Sequence, residues 1–188
     1  MRNAYAWGKR VFLRAPTEDD ARGRWHEWFS DEQTTEWLAA RYWPNTPEDQ
    51  LEFLAASRRS RDRLVLSVVE RGTDRLIGVC SLSSIDWINR YADIAVVIGE
   101  PEFRRGPVAI EIVTMLLRIG FNRLNLRVIK GGYLDCNPAT RAILALFRFE
   151  EVGRFRDLVW CGGRYVDSVL VMLRRDDWLK RARAEGPG

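Results

Sequence analysis

Five aliphatic residues in succession, Ile94-Ala95-Val96-Val97-Ile98, constrain this chain more than any other stretch. The run is far too short to cross a bilayer. Apolar residues at every position, rather than at alternate ones, describe a strand over Tyr91–Gly99 that is buried on both faces. A loop carrying Arg104, Arg105 and Gly106 follows, and then Val108–Phe121, whose length favours helix over strand.

The rest of the chain supplies the remaining layers. Arg10–Arg14 has the β-branched and aromatic content of a strand, and Ala15-Pro16 stops it. Thr17 can cap a helix with Glu18, Asp19 and Asp20 in its first turn, and Ala21, Trp25, Trp28 and Phe29 mark its buried face. Thr46-Pro47-Glu48-Asp49 is a sharper helix start, with Leu51, Leu54 and Ala55 continuing an apolar face. Leu64–Glu70 and Leu76–Ser84 read as strands joined at Arg71-Gly72-Thr73-Asp74. Leu126–Lys130 is a short strand, Asn137-Pro138 opens a helix through Phe147, and Val152–Trp160 and Tyr165–Leu173 are strands around Cys161-Gly162-Gly163-Arg164. The expected class is α/β (α+β): a mixed, mostly antiparallel twisted sheet of about seven strands flanked by about four helices, with one strand–helix–strand unit in the middle.

A chain of 188 residues suits one domain over 1–188, with a core near 9–178 and a tail at 179–188. Hydrophobic residues at 46% and charged residues at 30% exclude both a disordered and a membrane protein. The first ten residues have no apolar segment of the signal-peptide kind, so the cytoplasm is expected. Cys80, Cys136 and Cys161 are odd in number and widely spaced, which argues against a disulfide scaffold or a CxxC metal pair. His26 is the sole histidine, so no metal site is expected. A net charge of +4, almost all from arginine and interleaved with acids, permits an anionic ligand but does not resemble a nucleic-acid arm.

Chemistry concentrates where the aliphatic run meets the helix after Gly106. The first amides of that helix lack intrahelical acceptors, and the dipole there favours an anion. With two arginines beside it, the junction can cradle a phosphate. A plain strand-to-helix turn with exposed arginines is the competing reading.

The order of elements and this junction resemble the GNAT superfamily of acetyl-CoA-dependent N-acetyltransferases. The family's loop pattern Arg/Gln-x-x-Gly-x-Gly/Ala falls on Arg104-Arg105-Gly106-Pro107-Val108-Ala109. Asn89–Ile94, Asn137–Arg141, Phe149–Gly153 and Gly163–Val169 with Asp177-Trp178 agree, and the branch most similar includes the ribosomal-protein N-terminal and amino-sugar acetyltransferases. The resemblance implies that backbone groups of Val96, Val97 and Ile98 pair with the pantetheine arm of acetyl-CoA. It implies that amides of Arg105, Gly106, Val108 and Ala109, with the Arg104 side chain, hold the pyrophosphate. Asn137 and Thr140 would contact the cofactor beyond the next strand. No metal takes part.

The acceptor must be a neutral amine, because an ammonium has no lone pair, so a carboxylate is wanted to take its proton. Asp93 is the first candidate for that base and Asp86 the second. Relatives place a tyrosine in the last helix as acid, where this chain has Leu144, and Tyr133 or water is the substitute. Cys136 reads as a packing residue. Trp25, Trp28, Trp37, Trp43 and Trp87 supply aromatic surface around the acceptor pocket; Trp25 and Trp28 read as core, Trp43 and Trp87 stay open as acceptor contacts, and His26 reads as a helix-surface or half-buried residue. Besides Leu144, two positions depart from the family pattern. Pro107 replaces a glycine and cannot donate to a phosphate, and Arg148 stands where the family has glycine. The expected partner is a small-molecule amine, such as an amino sugar, free or nucleotide-linked, or a protein N-terminus. Nucleic acid and membrane are not expected, and the branch suggests a homodimer. A non-catalytic acyl-CoA-binding domain is the alternative that Pro107 keeps open.

Overall fold

Both helix-start signals read from the sequence are reciprocal capping boxes in the computed structural model, which describes residues 3–104 and 106–184. Asp20 N donates to Thr17 Oγ1 at 3.2 Å, and Thr17 N to Asp20 Oδ2 at 2.9 Å. Thr46 and Asp49 repeat the exchange at 3.2 and 2.8 Å, which satisfies amides that would otherwise end the helix unpaired. Arg105, expected above as an amide donor, lies outside the described residues.

The described elements run β1 (Ala4–Trp7), β2 (Val11–Arg14), α1 (Glu18–Asp20), α2 (His26–Ser30), α3 (Glu32–Thr35), α4 (Pro47–Arg59), β3 (Leu64–Glu70), β4 (Leu76–Asp86), β5 (Tyr91–Ile98), α5 (Pro107–Arg118), β6 (Val128–Leu134), α6 (Pro138–Leu146), β7 (Glu150–Cys161), β8 (Arg164–Arg174) and α7 (Arg175–Ala184). Among the described residues eight strands form one sheet in the order β1-β2-β3-β4-β5-β6-β8-β7. Each pair is antiparallel except β5 and β6, which are parallel around the crossover through α5. The fold class is the mixed α/β one expected.

Four elements, α3 among them, go beyond the sequence reading. β1 pairs with β2 through Ala6↔Leu13 and Trp7↔Phe12, although its four residues carry no strand pattern of their own. β6 runs on through Gly131 and Gly132 because Val171 and Leu170 of β8 pair with them, so it is longer than Leu126–Lys130 and shifted. The start of the expected tail continues α7, whose Trp178 ring lies 6.2 Å from that of Phe121.

Two cores sandwich the sheet. Under α5, Ile112 and Leu116 pack with Leu13, Leu82, Phe121 and Ile129. On the other face Trp25, Trp28 and Leu54 cover Val65 and Val79, as read for the two tryptophans. Gly99 follows β5 against Trp28, and a Cβ there would sit 1.9 Å from Cδ2 of the indole. The next residue, Glu100, is buried. It accepts from Trp28 Nε1 at 3.1 Å and Arg24 Nη1 at 2.9 Å and pairs with Arg75, which pins the loop that leads to α5.

Candidate active site

β5 and β6 share three rungs, Tyr91↔Val128, Ala92↔Ile129 and Asp93↔Lys130, and then part. β5 stays with β4 as far as Gly78↔Ile98, while β6 follows β8 to Leu134↔Ser168. The fork opens a cleft of about 330 Å³ between Ile94–Ile98 on one side and Gly131–Leu134 on the other, closed by α5, α6 and the segment after α3. This divergence corrects the expectation of a strand buried on both faces. Ala95 is exposed, and Ile94, Val96, Val97 and Ile98 are half-buried.

The fork leaves backbone groups of β5 without a strand partner. Gly99 N donates to Ile77 O of β4 at 3.0 Å, while Arg90 O accepts from Val128 N of β6 at 3.2 Å. Backbone groups alternate sides along a strand. Hence Ile94, Val96 and Ile98 direct N–H and C=O toward the cleft, and Val97 directs its own toward Val79 on β4. Of the three residues expected to offer backbone contacts, Val96 and Ile98 face the opening; Ile94 takes the place assigned to Val97. Sequence periodicity does not fix that phase. The hydrogen bond at Gly99 does.

At the far end of the cleft α5 begins. Gly106 adopts φ +105° and ψ −157°, and Pro107 occupies the first helical position, with no side chain capping the end. The amides of Val108 and Ala109 thus begin the helix unsatisfied, and Ala109 lines the cleft. Arg104 also lines it but turns inward. Its Nε donates to Ile98 O at 3.2 Å, and its Nη2 to Gly99 O at 2.8 Å and Thr34 Oγ1 at 2.6 Å. Across the opening, Asn137 caps α6 by accepting from Thr140 N at 3.0 Å, and both residues line the cleft.

The proposed acid and bases separate. Tyr133 lines the cleft and packs beside Leu144 and Val169. Asp93 stands on the last shared rung, with both carboxylate oxygens accepting from Lys130 Nζ, and it is not among the lining residues. Asp86 closes the turn before β5, accepting from the amides of Asn89 at 2.7 Å and Ile88 at 2.9 Å. Those bonds, the Asn89 amide first, hold its carboxyl below the usual range. Burial, followed by the neighbouring Cys161, pushes the Cys136 thiol up, which suits the packing role read for it.

The sequence reading missed α3, although it placed Trp37 at the acceptor pocket. Thr34, Trp37 and Leu38 line the cleft, whereas Trp43 and Trp87 are exposed outside it. Asp31 caps α3 through Thr34 N at 2.7 Å, and Asp31-Glu32-Gln33-Thr34 is a start signal that the pattern could have revealed. Among the described residues no carboxylate lines the cleft, and Arg104 supplies its positive charge. No described helix is long and apolar enough to cross a membrane, and no group of three metal-ligating side chains gathers among the described residues.

The acetyltransferase (GNAT) domain family matches residues 10–150. An uncharacterized N-acetyltransferase of Bacillus licheniformis, p20, is 25% identical over 172 residues, which are 90% of this chain and 96% of the relative. A second, YoaA of Bacillus subtilis (strain 168), is 24% identical over 161 residues, covering 85% of this chain and 90% of the relative. Spermidine N-acetyltransferase from Vibrio cholerae, solved with CoA and spermine, superposes with a TM-score of 0.83 at 21% identity over 92% of this chain and 99% of that one. At that identity the likeness is one of fold.

Proposed function

The chain belongs to the GNAT acetyltransferase family and is an N-acetyltransferase, and from that premise we propose that it binds acetyl-CoA in the β5–β6 cleft and passes the acetyl group to a primary amine by direct attack. One observation carries the assignment. The unpaired backbone edge of Ile94 and Val96 and the uncapped start of α5 open into the same cleft, which has a cation and no lining carboxylate among the described residues. That combination suits a long amide-bearing arm ending in a diphosphate.

In this reading the Ile94 and Val96 backbone groups bind the arm, and an N–H on that edge polarises the thioester carbonyl. Gly106, Val108 and Ala109 offer amides to the diphosphate, and Asn137 and Thr140 border the arm from α6. The bound thioester supplies an activated acetyl group. Asp93, at the apex of the fork, takes the proton that the amine must lose, and Tyr133 faces the departing sulfur. Lys130 Nζ occupies both Asp93 oxygens, so the incoming amine displaces it.

For the acceptor we infer an amino sugar, free or nucleotide-linked, or a protein N-terminus. The Vibrio neighbour is a spermidine N-acetyltransferase, and at 21% identity the likeness is one of fold and carries no substrate over to this chain. A second copy of the chain is the proposed cover for β7, the edge strand whose Val152, Phe155, Leu158 and Trp160 are all exposed. Calorimetric titration with acetyl-CoA, then thiol release over a panel of amino sugars, peptides and polyamines, tests the reading. Binding without acceptor-dependent release would instead indicate a non-catalytic acyl-CoA-binding domain. Release with polyamines alone would overturn the acceptor class.

A further inference from the structure

Arg104 belongs to the loop that leads into α5, yet it is bonded most closely to a residue seventy positions earlier in the chain. Its Nη2 donates to Thr34 Oγ1 at 2.6 Å, and the Thr34 hydroxyl donates in turn to Asp31 Oδ2 at 2.5 Å. The same Asp31 oxygen accepts from Thr34 N at 2.7 Å and so caps α3. Asp31 O receives Thr35 N at 3.0 Å, and Leu38 N reaches Thr35 O at 2.7 Å. A chain of hydrogen bonds thus runs from the guanidinium through the cap of α3 to the turn that sets Trp37 and Leu38 against the cleft. Asp31 lies 3.7 Å from Nη2, and the Thr34 hydroxyl, with Arg104 adding to it, holds its carboxyl below the usual range. The remaining nitrogen, Nη1, has no partner among the described residues, while Arg104 itself lines the cleft.

We infer that Arg104 couples the two halves of the site: a diphosphate held at Nη1 immobilises the guanidinium and, through Thr34 and Asp31, firms the wall that carries Trp37 and Leu38. The inference rests on the acetyl-CoA reading and adds to it a path between the two parts of the site. Thr34 is a positioning residue that acts through Arg104. An arginine is suited to the task because its planar fork can satisfy carbonyls and a hydroxyl on one side while presenting a nitrogen on the other.

Hydrogen exchange at the amides of residues 34–38, measured with and without saturating CoA, reads the coupling directly. In the native protein CoA should slow exchange there roughly tenfold, the equivalent of one charge-assisted hydrogen bond. Thr34→Val removes the hydroxyl while keeping the shape, and should abolish that response although calorimetry still records CoA binding. Thr34→Ser should restore it. Equal slowing in Thr34→Val would mean that CoA shields α3 by contact alone, and no slowing in the native protein with CoA bound would mean no coupling; either overturns the inference. Failure of CoA to bind at all would instead remove the acetyl-CoA reading, and the coupling with it.

Discussion

Lys130 Nζ lies 2.6 Å from Oδ1 and 2.7 Å from Oδ2 of Asp93, on the rung where β5 and β6 separate. Both side chains are more than a third exposed, so the pair adds on the order of 0–1 kcal/mol to stability, and variants there report on chemistry rather than on folding. If Asp93 takes the proton of the amine, Asp93→Asn should lower kcat about 100-fold at neutral pH and leave acetyl-CoA affinity within about twofold. Lys130→Met frees the carboxylate without removing it, so turnover should hold or rise. Equal losses in both variants, no greater when they are combined, would show that the pair only clasps the fork.

The loop before α5 makes a different prediction, about the backbone. Gly106 sits at φ +105°, and a Cβ there would meet no atom within 4 Å, so Gly106→Ala has a conformational cost with no clash. That cost should be about 1–3 kcal/mol by chemical denaturation, with weakened CoA binding as the turn adjusts. Pro107→Gly should act oppositely on the ligand. It restores an amide at the start of the helix and should tighten CoA binding up to roughly tenfold, while the loss of a fixed φ lowers stability by about 0.4–1 kcal/mol. Unchanged affinity in Pro107→Gly would place the phosphates elsewhere.

These two sites also separate what is legible in the amino-acid sequence from what is not. Gly106 and the capping residues Thr17, Thr46 and Asn137 carry information within one turn of the chain, and each performs the local task that its neighbours imply. The fork does not carry it locally. Whether Ile94 or Val97 offers its backbone to the cleft depends on the bond from Gly99 to Ile77, and whether Gly131-Gly132 is strand depends on β8. Arg104 reads as a phosphate ligand from its loop, but its closest side-chain partner, Thr34, is 70 residues away. Only the folded sheet brings the two together.

Acid sensitivity should centre on Asp20, whose side chain is only 6% exposed. Burial alone would raise its pKa. Hydrogen bonds from Arg14, from Thr17 N and from the Ser67 hydroxyl outweigh that effect and hold the carboxyl below its ordinary value. Since the folded pKa lies below the unfolded one, the stabilisation is complete above the unfolded value near ~3.9 and is lost as pH falls below it through the folded value. Urea melts at neutral pH and at successive points below about pH 4 should trace that loss. Asp20→Asn should lower stability by about 3–5 kcal/mol at neutral pH, because Arg14 is left half-buried without its partner, and should flatten the acid slope. An unchanged slope in the variant would assign the acid response to other carboxylates.

The last prediction concerns Arg148, which stands where the family pattern has glycine. It holds φ +59° at the end of α6, the left-handed conformation in which a side chain is disfavoured. The turn is nonetheless fully bonded, with Arg148 N donating to Ala145 O at 2.9 Å and Phe149 N to Leu144 O at 3.0 Å, so the helix stop is built in glycine's manner without glycine. Arg148→Gly relieves the backbone but adds freedom to the unfolded chain, and the first effect is the larger. Stability should rise by about 0.5–1 kcal/mol, read as a higher denaturation midpoint with an unchanged m-value. A fall instead would mean that the arginine side chain stabilises the end of α6 by more than its backbone strain costs, and Arg148→Ala, which keeps the strain and removes the side chain, would then fall further still.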